Sequence, residues 1–79
     1  MIVRELWVGG LTENISEKTL ETNMQVYGKV ESVSLIKKQQ TFAYVKYRRV
    51  REASKAFSQM RSIGELLGCP QIKLYFSDH

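Results

Sequence analysis

LWVGGL at residues 6–11 and QTFAYVKY at residues 40–47 decide the fold of this chain. Both are rich in β-branched and aromatic residues and alternate with a period of two, the pattern of half-buried strands. In the second stretch Phe42, Tyr44 and Lys46 fall on one face, and Ala43, Val45 and Tyr47 on the other. In the first, Leu6 and Val8 point one way and Trp7 the other. With Ala43, Val45, Leu6 and Val8 against a core, Trp7, Phe42 and Tyr44 face solvent, whereas Tyr47 has core parity. Three large rings on one open sheet face are costly to leave in water, and they mark a binding surface.

Outward from these strands the remaining elements follow. Asn14-Ile15-Ser16 opens a helix with Ser16 as N-cap and Glu17 in its positively polarised first turn. Ile15 and Leu20 have the spacing of a hydrophobic staple. Leu20, Met24 and Tyr27 form a core-facing stripe, and Gly28 is placed to end the helix in the left-handed conformation. Val30, Val33 and Leu35 mark another strand, and KKQQ makes a tight hairpin that sets Lys37 and Lys38 at its tip. From Val50 a second helix carries Ala53, Ala56, Phe57 and Met60 on one face, without a Ser, Thr, Asp or Asn to cap it. Gly68-Cys69-Pro70 precedes a last strand, Gln71 to Phe76, in which Pro70 fits only an edge. There Ile72 and Leu74 point inward, and Lys73 and Tyr75 lie on the outer sheet face. The order β-α-β-β-α-β predicts an α+β, ferredoxin-like sandwich: four antiparallel strands in spatial order 4-1-3-2, with two helices on one face.

The two strand motifs, their order and their separation resemble the RNA recognition motif (RRM) family, with its octapeptide K/R-G-F/Y-G/A-F/Y-V-x-F/Y. Phe42, Ala43, Tyr44, Val45 and Tyr47 match it position by position, and Trp7 occupies the aromatic position of the hexapeptide. Gln40 stands where a basic residue usually contacts phosphate, and Thr41 where glycine lets a backbone approach closely. LWVGGL, the very short loop before TFAYVKY and the Met60–Arg61 pair at the end of the second helix are similar to RRMs of the Split ends (Spen) family. The resemblance implies single-stranded RNA stacked on Trp7, Phe42 and Tyr44 and continuing past Lys73 and Tyr75. Lys46 and Lys73 reach the RNA backbone from the sheet face, and Lys37 and Lys38 compensate at the hairpin tip for Gln40. It also implies a nuclear RNA-processing or transcription regulator, of which this is one monomeric domain.

Size and charge agree with that reading. The 79 residues make a single small domain, 43% of it hydrophobic. The net charge is +4, but residues 1–31 sum to −2 and residues 65–79 to −1. Ser32 to Gly64 holds Lys37, Lys38, Lys46, Arg48, Arg49, Arg51, Lys55 and Arg61 against one acid, Glu52. The positive field thus belongs to the segment that carries Phe42 and Tyr44. A merely solvated basic face is the bland alternative, and Lys55 and Arg61 on the second helix fit it. Glu5 shares Trp7's parity and weakens anion binding locally.

The inventory is poor for catalysis or cofactors. His79 is the single histidine, Asp78 the single aspartate, and Cys69 has neither a second cysteine for a disulfide nor a partner base. Glu17 and Glu21, one turn apart, read as surface charges, and Gly9-Gly10 lacks the spacing of a phosphate loop. No cofactor, metal or membrane span is expected, and the chain reads as a soluble intracellular module of a longer protein. Two competing functions involve protein partners: peptide binding on the helical side, or a protein segment instead of bases on the sheet aromatics. The first wants an Arg-x-Phe motif after the second helix, where RSIGELL stands instead.

Overall fold

The computed structural model describes residues 3–63 and 72–77. Its elements run β1 (Glu5–Leu11), α1 (Glu17–Met24), a single 3-10 turn (Gln25–Tyr27), β2 (Val30–Lys37), β3 (Thr41–Tyr47), α2 (Val50–Ile63) and β4 (Lys73–Ser77). The strands form one antiparallel sheet in the order β2-β3-β1-β4, the order expected from the sequence. On the two central strands Leu6, Val8, Ala43, Val45 and Tyr47 are fully buried in one core with Leu20, Met24, Ala53, Ala56 and Met60 of the two helices. Pro70 and Gln71, expected at the start of the last strand, lie outside the described residues, as do Cys69, Asp78 and His79.

Two bulges set which side chains reach this core. Between Val8 and Leu11 the β1–β3 register slips, with Gly10 at φ 78°. Glycine adopts this left-handed conformation without steric penalty, and the extra residue returns Leu11 to the buried face. A second slip between Val30 and Ser32 buries Val30 on the same side as Val33 and Leu35.

The helix ends are tied by side chains. Ser16 caps α1, its hydroxyl accepting from Thr19 N at 3.2 Å, and Ile15 and Leu20 are both buried as the staple requires. The other end departs from expectation. α1 stops at Met24 and the chain tightens into the 3-10 turn before Gly28, which is extended (φ 161°, ψ −179°) rather than left-handed. Glycine is needed there for space: a Cβ would lie 2.6 Å from Cβ of Glu52. Glu52 also supplies the cap that the start of α2 lacked in sequence. Its carboxylate accepts from Arg49 N at 3.0 Å, the reciprocal half of a capping box, and from Lys29 N at 3.1 Å. One side chain therefore joins the start of α2 to the loop leading into β2. Tyr47, fully buried, donates its hydroxyl to the Met24 carbonyl at 2.6 Å, where α1 runs out of helical partners. Glu17 accepts from Leu35 N at 3.2 Å and so covers one exposed amide of the edge strand β2.

Candidate nucleic-acid interface

The helix-free face of the sheet is built by alternation. Register places Trp7 opposite Tyr44 on one side and Tyr75 on the other. Phe42 follows on β3, diagonal to Trp7. The rings form a continuous array. Trp7 lies 5.7 Å from Phe42 and 5.5 Å from Tyr75 between centroids, and Phe42 meets Tyr44 edge to face at 6.0 Å. Such tilted and edge contacts are the favoured geometries of aromatic pairs. Trp7, Phe42 and Tyr44 are half-buried by one another, and Tyr75 is 60% exposed.

Gly9 determines how Trp7 sits. The indole lies across Gly9, so that a Cβ built there would overlap the ring, with Trp7 Cζ3 at 2.6 Å. Any side chain at position 9 displaces the indole. The glycine pair therefore has two tasks: Gly9 seats a ring and Gly10 turns the strand.

Charged groups frame the array unevenly. Lys46 is half-buried opposite Glu5, whose carboxylate accepts from Ser77 Oγ at 3.1 Å. Exposed Lys73 stands opposite Gly9. Lys38, Gln40, Lys73 and Trp7 line one open cavity at the hairpin end of the sheet. Lys37 is not gathered there: it pairs with Thr41 and shares the parity of Leu35, on the helix-bearing side. The basic run read from sequence is also divided. Arg48 and Arg49 leave the sheet at the opposite end, beside Lys29, whose carbonyl accepts from Arg48 N at 2.9 Å. Lys55 and Arg61 are exposed on α2, and Arg61 lies over the Phe57 ring at 5.9 Å. Sequence reading passed over Ser34 and Ile36, which register places beside Tyr44 and Phe42 on the outer face. The signal was present, since both have opposite parity to Val33 and Leu35. Among the described residues no three His, Cys, Asp or Glu side chains cluster to hold a metal, and no helix is long and apolar enough to cross a membrane.

An open four-stranded sheet with a ring at each of these positions defines a class, and the family model for the RNA recognition motif matches residues 6–71. The chain belongs to the RNA recognition motif family. Msx2-interacting protein of mouse, and likewise that of human, is 33% identical over 66 residues covering 78% of this chain. The chain spans about 2% of the length of those relatives. Among solved structures, the RRM3 domain of Mip6 superposes with TM-score 0.84 at 18% identity, covering 95% of this chain and 94% of that one. The MEC-8 C-terminal RRM bound to AGCACA gives 0.82 at 16% identity, covering 100% and 95%. The Rna15 RRM with bound RNA (GU) gives 0.82 at 16%, covering 98% and 85%. At these identities the likeness is one of fold.

Proposed function

We propose that this chain is a non-catalytic module that binds single-stranded RNA on its open sheet face. The observation that carries the reading is the contiguous array of Trp7, Phe42, Tyr44 and Tyr75, with centroids no more than 6.0 Å apart between neighbours. Every base has a flat face, so an aromatic array accepts unpaired bases with stacking worth about 1–3 kcal/mol each. Lys46 and Lys73 add backbone attraction from the sheet, and Lys38 adds it from the hairpin in place of the basic residue that Gln40 replaces. Lys37, at the end of β2 on the helix-bearing side, adds to the positive field at that end of the sheet without facing the rings. Two structural neighbours that carry RNA support the same use of the fold. The partial match to Msx2-interacting protein supports the Spen-like resemblance, and with it a place as one monomeric domain in a larger nuclear regulator of transcription or RNA processing.

An NMR titration of the labelled domain with a pool of short single-stranded RNAs tests this. Shifts grouped on the Trp7, Phe42, Tyr44 and Tyr75 face support it. Shifts confined to α1 and α2, or none, overturn it, and the helical pattern would direct attention to a peptide partner.

A further inference from the structure

The cavity at the hairpin end of the sheet, about 490 Å³, opens between the β1–α1 turn, the β2–β3 hairpin and the start of β4, with Trp7 as its inner wall. Its polar lining combines one group that only accepts hydrogen bonds, Glu13, with two that only donate, Lys38 and Lys73, and two amides that do either, Gln39 and Gln40. Glu13, Lys38 and Lys73 are exposed, and none is held in an ion pair among the described residues. A carboxylate and two ammonium groups thus share one cavity without being consumed by each other, beside the Trp7 ring.

We infer that this cavity selects a guanine, as the nucleotide adjoining the one stacked on Trp7; the inference rests on the single-stranded RNA reading above. Guanine presents two adjacent donors, N1–H and the N2 amino group, on one edge and two acceptors, O6 and N7, on the other. The two oxygens of the Glu13 carboxylate match the donor pair, and the Gln39 and Gln40 amides, with a donor of Lys38 beyond those it turns to the RNA backbone, match O6 and N7. The other bases match poorly. Adenine and cytosine set a single amino donor beside a ring acceptor, which turns a lone pair toward the carboxylate. Uracil flanks its one donor with two carbonyls. Lys73, at the mouth opposite Gly9, attracts the phosphate regardless of base.

The test is fluorescence anisotropy of the whole chain with hexauridine and with hexauridines carrying one G, A or C at each position in turn. A single G at one position is expected to tighten binding about tenfold over U, near the lower end for a bidentate base contact. Glu13→Gln should bring that RNA to within about twofold of hexauridine without weakening hexauridine itself, because a neutral amide offers only one acceptor. Lys73→Ala should weaken all the RNAs alike and flatten their salt dependence. A preference for A or C, or a G preference that survives Glu13→Gln, overturns the guanine site. Base-indifferent binding that still requires Phe42 also overturns it and leaves the stacking reading intact, whereas no binding to any hexamer overturns both.

Discussion

Replacing Tyr47 by phenylalanine keeps the buried ring and removes only its hydroxyl, which donates to the Met24 carbonyl at 2.6 Å. The ring is fully buried, so water is not at hand to replace the lost donor. A hydrogen bond of this kind contributes about 0.5–1.5 kcal/mol net, and the burial of both partners sets the value at the upper end of that range, although the Met24 carbonyl keeps its backbone partner in the 3-10 turn. A value of about 1.5 kcal/mol lowers Tm by roughly 6–12 °C in a domain of this size. Thermal melting by circular dichroism at neutral pH measures that, and RNA titration well below the melt measures the other half of the expectation. Because Tyr47 faces away from the ring array, affinity in the folded variant should equal that of wild type. A loss of less than about 2 °C would show that the hydroxyl is not the tie between β3 and the end of α1. Weakened RNA binding by the folded variant would show that the strand faces the other way.

Other substitutions separate the sheet's two faces. Phe42→Ala should reduce RNA affinity by about 1–3 kcal/mol with little change in Tm, since it removes a stacking surface and opens no core cavity; equal losses in both assays would refute this. Gly9→Ala should produce a similar loss by pushing the indole off its seat, visible as red-shifted or weakened Trp7 fluorescence; an unchanged spectrum and affinity would show that the ring does not depend on position 9. Glu52→Gln should destabilise by about 1 kcal/mol, because one of the two backbone amides at Arg49 and Lys29 keeps an acceptor oxygen while the other meets an NH2 donor, and partial exposure keeps the value low; hydrogen exchange at those two amides should rise. Burial, with smaller contributions from Tyr27 and Glu52, pushes the Tyr47 phenol above its ordinary value of 10.0. The unfolded chain therefore ionises first. The stability this group confers is full below about pH 10 and falls as pH rises beyond it, by up to about 1.4 kcal/mol per pH unit. Alkaline melts of wild type and Tyr47→Phe should converge above pH 10, and parallel curves would contradict the burial argument.

Strand parity and helix stripes were legible because each depends on a short repeat that burial enforces along the chain, and sheet order because the succession β-α-β-β-α-β belongs to a known sandwich. Trp7 and Phe42 on one face with Tyr47 on the other followed from period two alone. The three-residue gaps from Val8 to Leu11 and from Val30 to Val33 are the trace that two bulges leave in a strand. Gly28 was misread for a physical reason: a glycine after a helix usually supplies a left-handed angle, but here it clears space for Glu52. That clash joins residues 24 positions apart, as does the tie from Glu52 to Lys29, 23 positions apart, and no local pattern encodes either. The division of the basic run has a similar origin. A charge sum along the chain takes no account of β3 carrying Arg48 and Arg49 to the far end of the sheet from Lys38.

The seat of Trp7 also bears on when disorder is removed. An indole free on a strand samples several rotamers, and immobilising a flexible side chain during association costs about 0.5–1.5 kcal/mol. Here Gly9 lies beneath the ring, with Phe42 on one side and Tyr75 on the other. Its rotamer freedom is lost when the chain folds, before any planar ligand arrives. On the RNA-binding reading proposed above, a base landing on this surface would meet a ring already in position, so that little of the stacking energy would be diverted to ordering it and no ring rearrangement would gate the encounter.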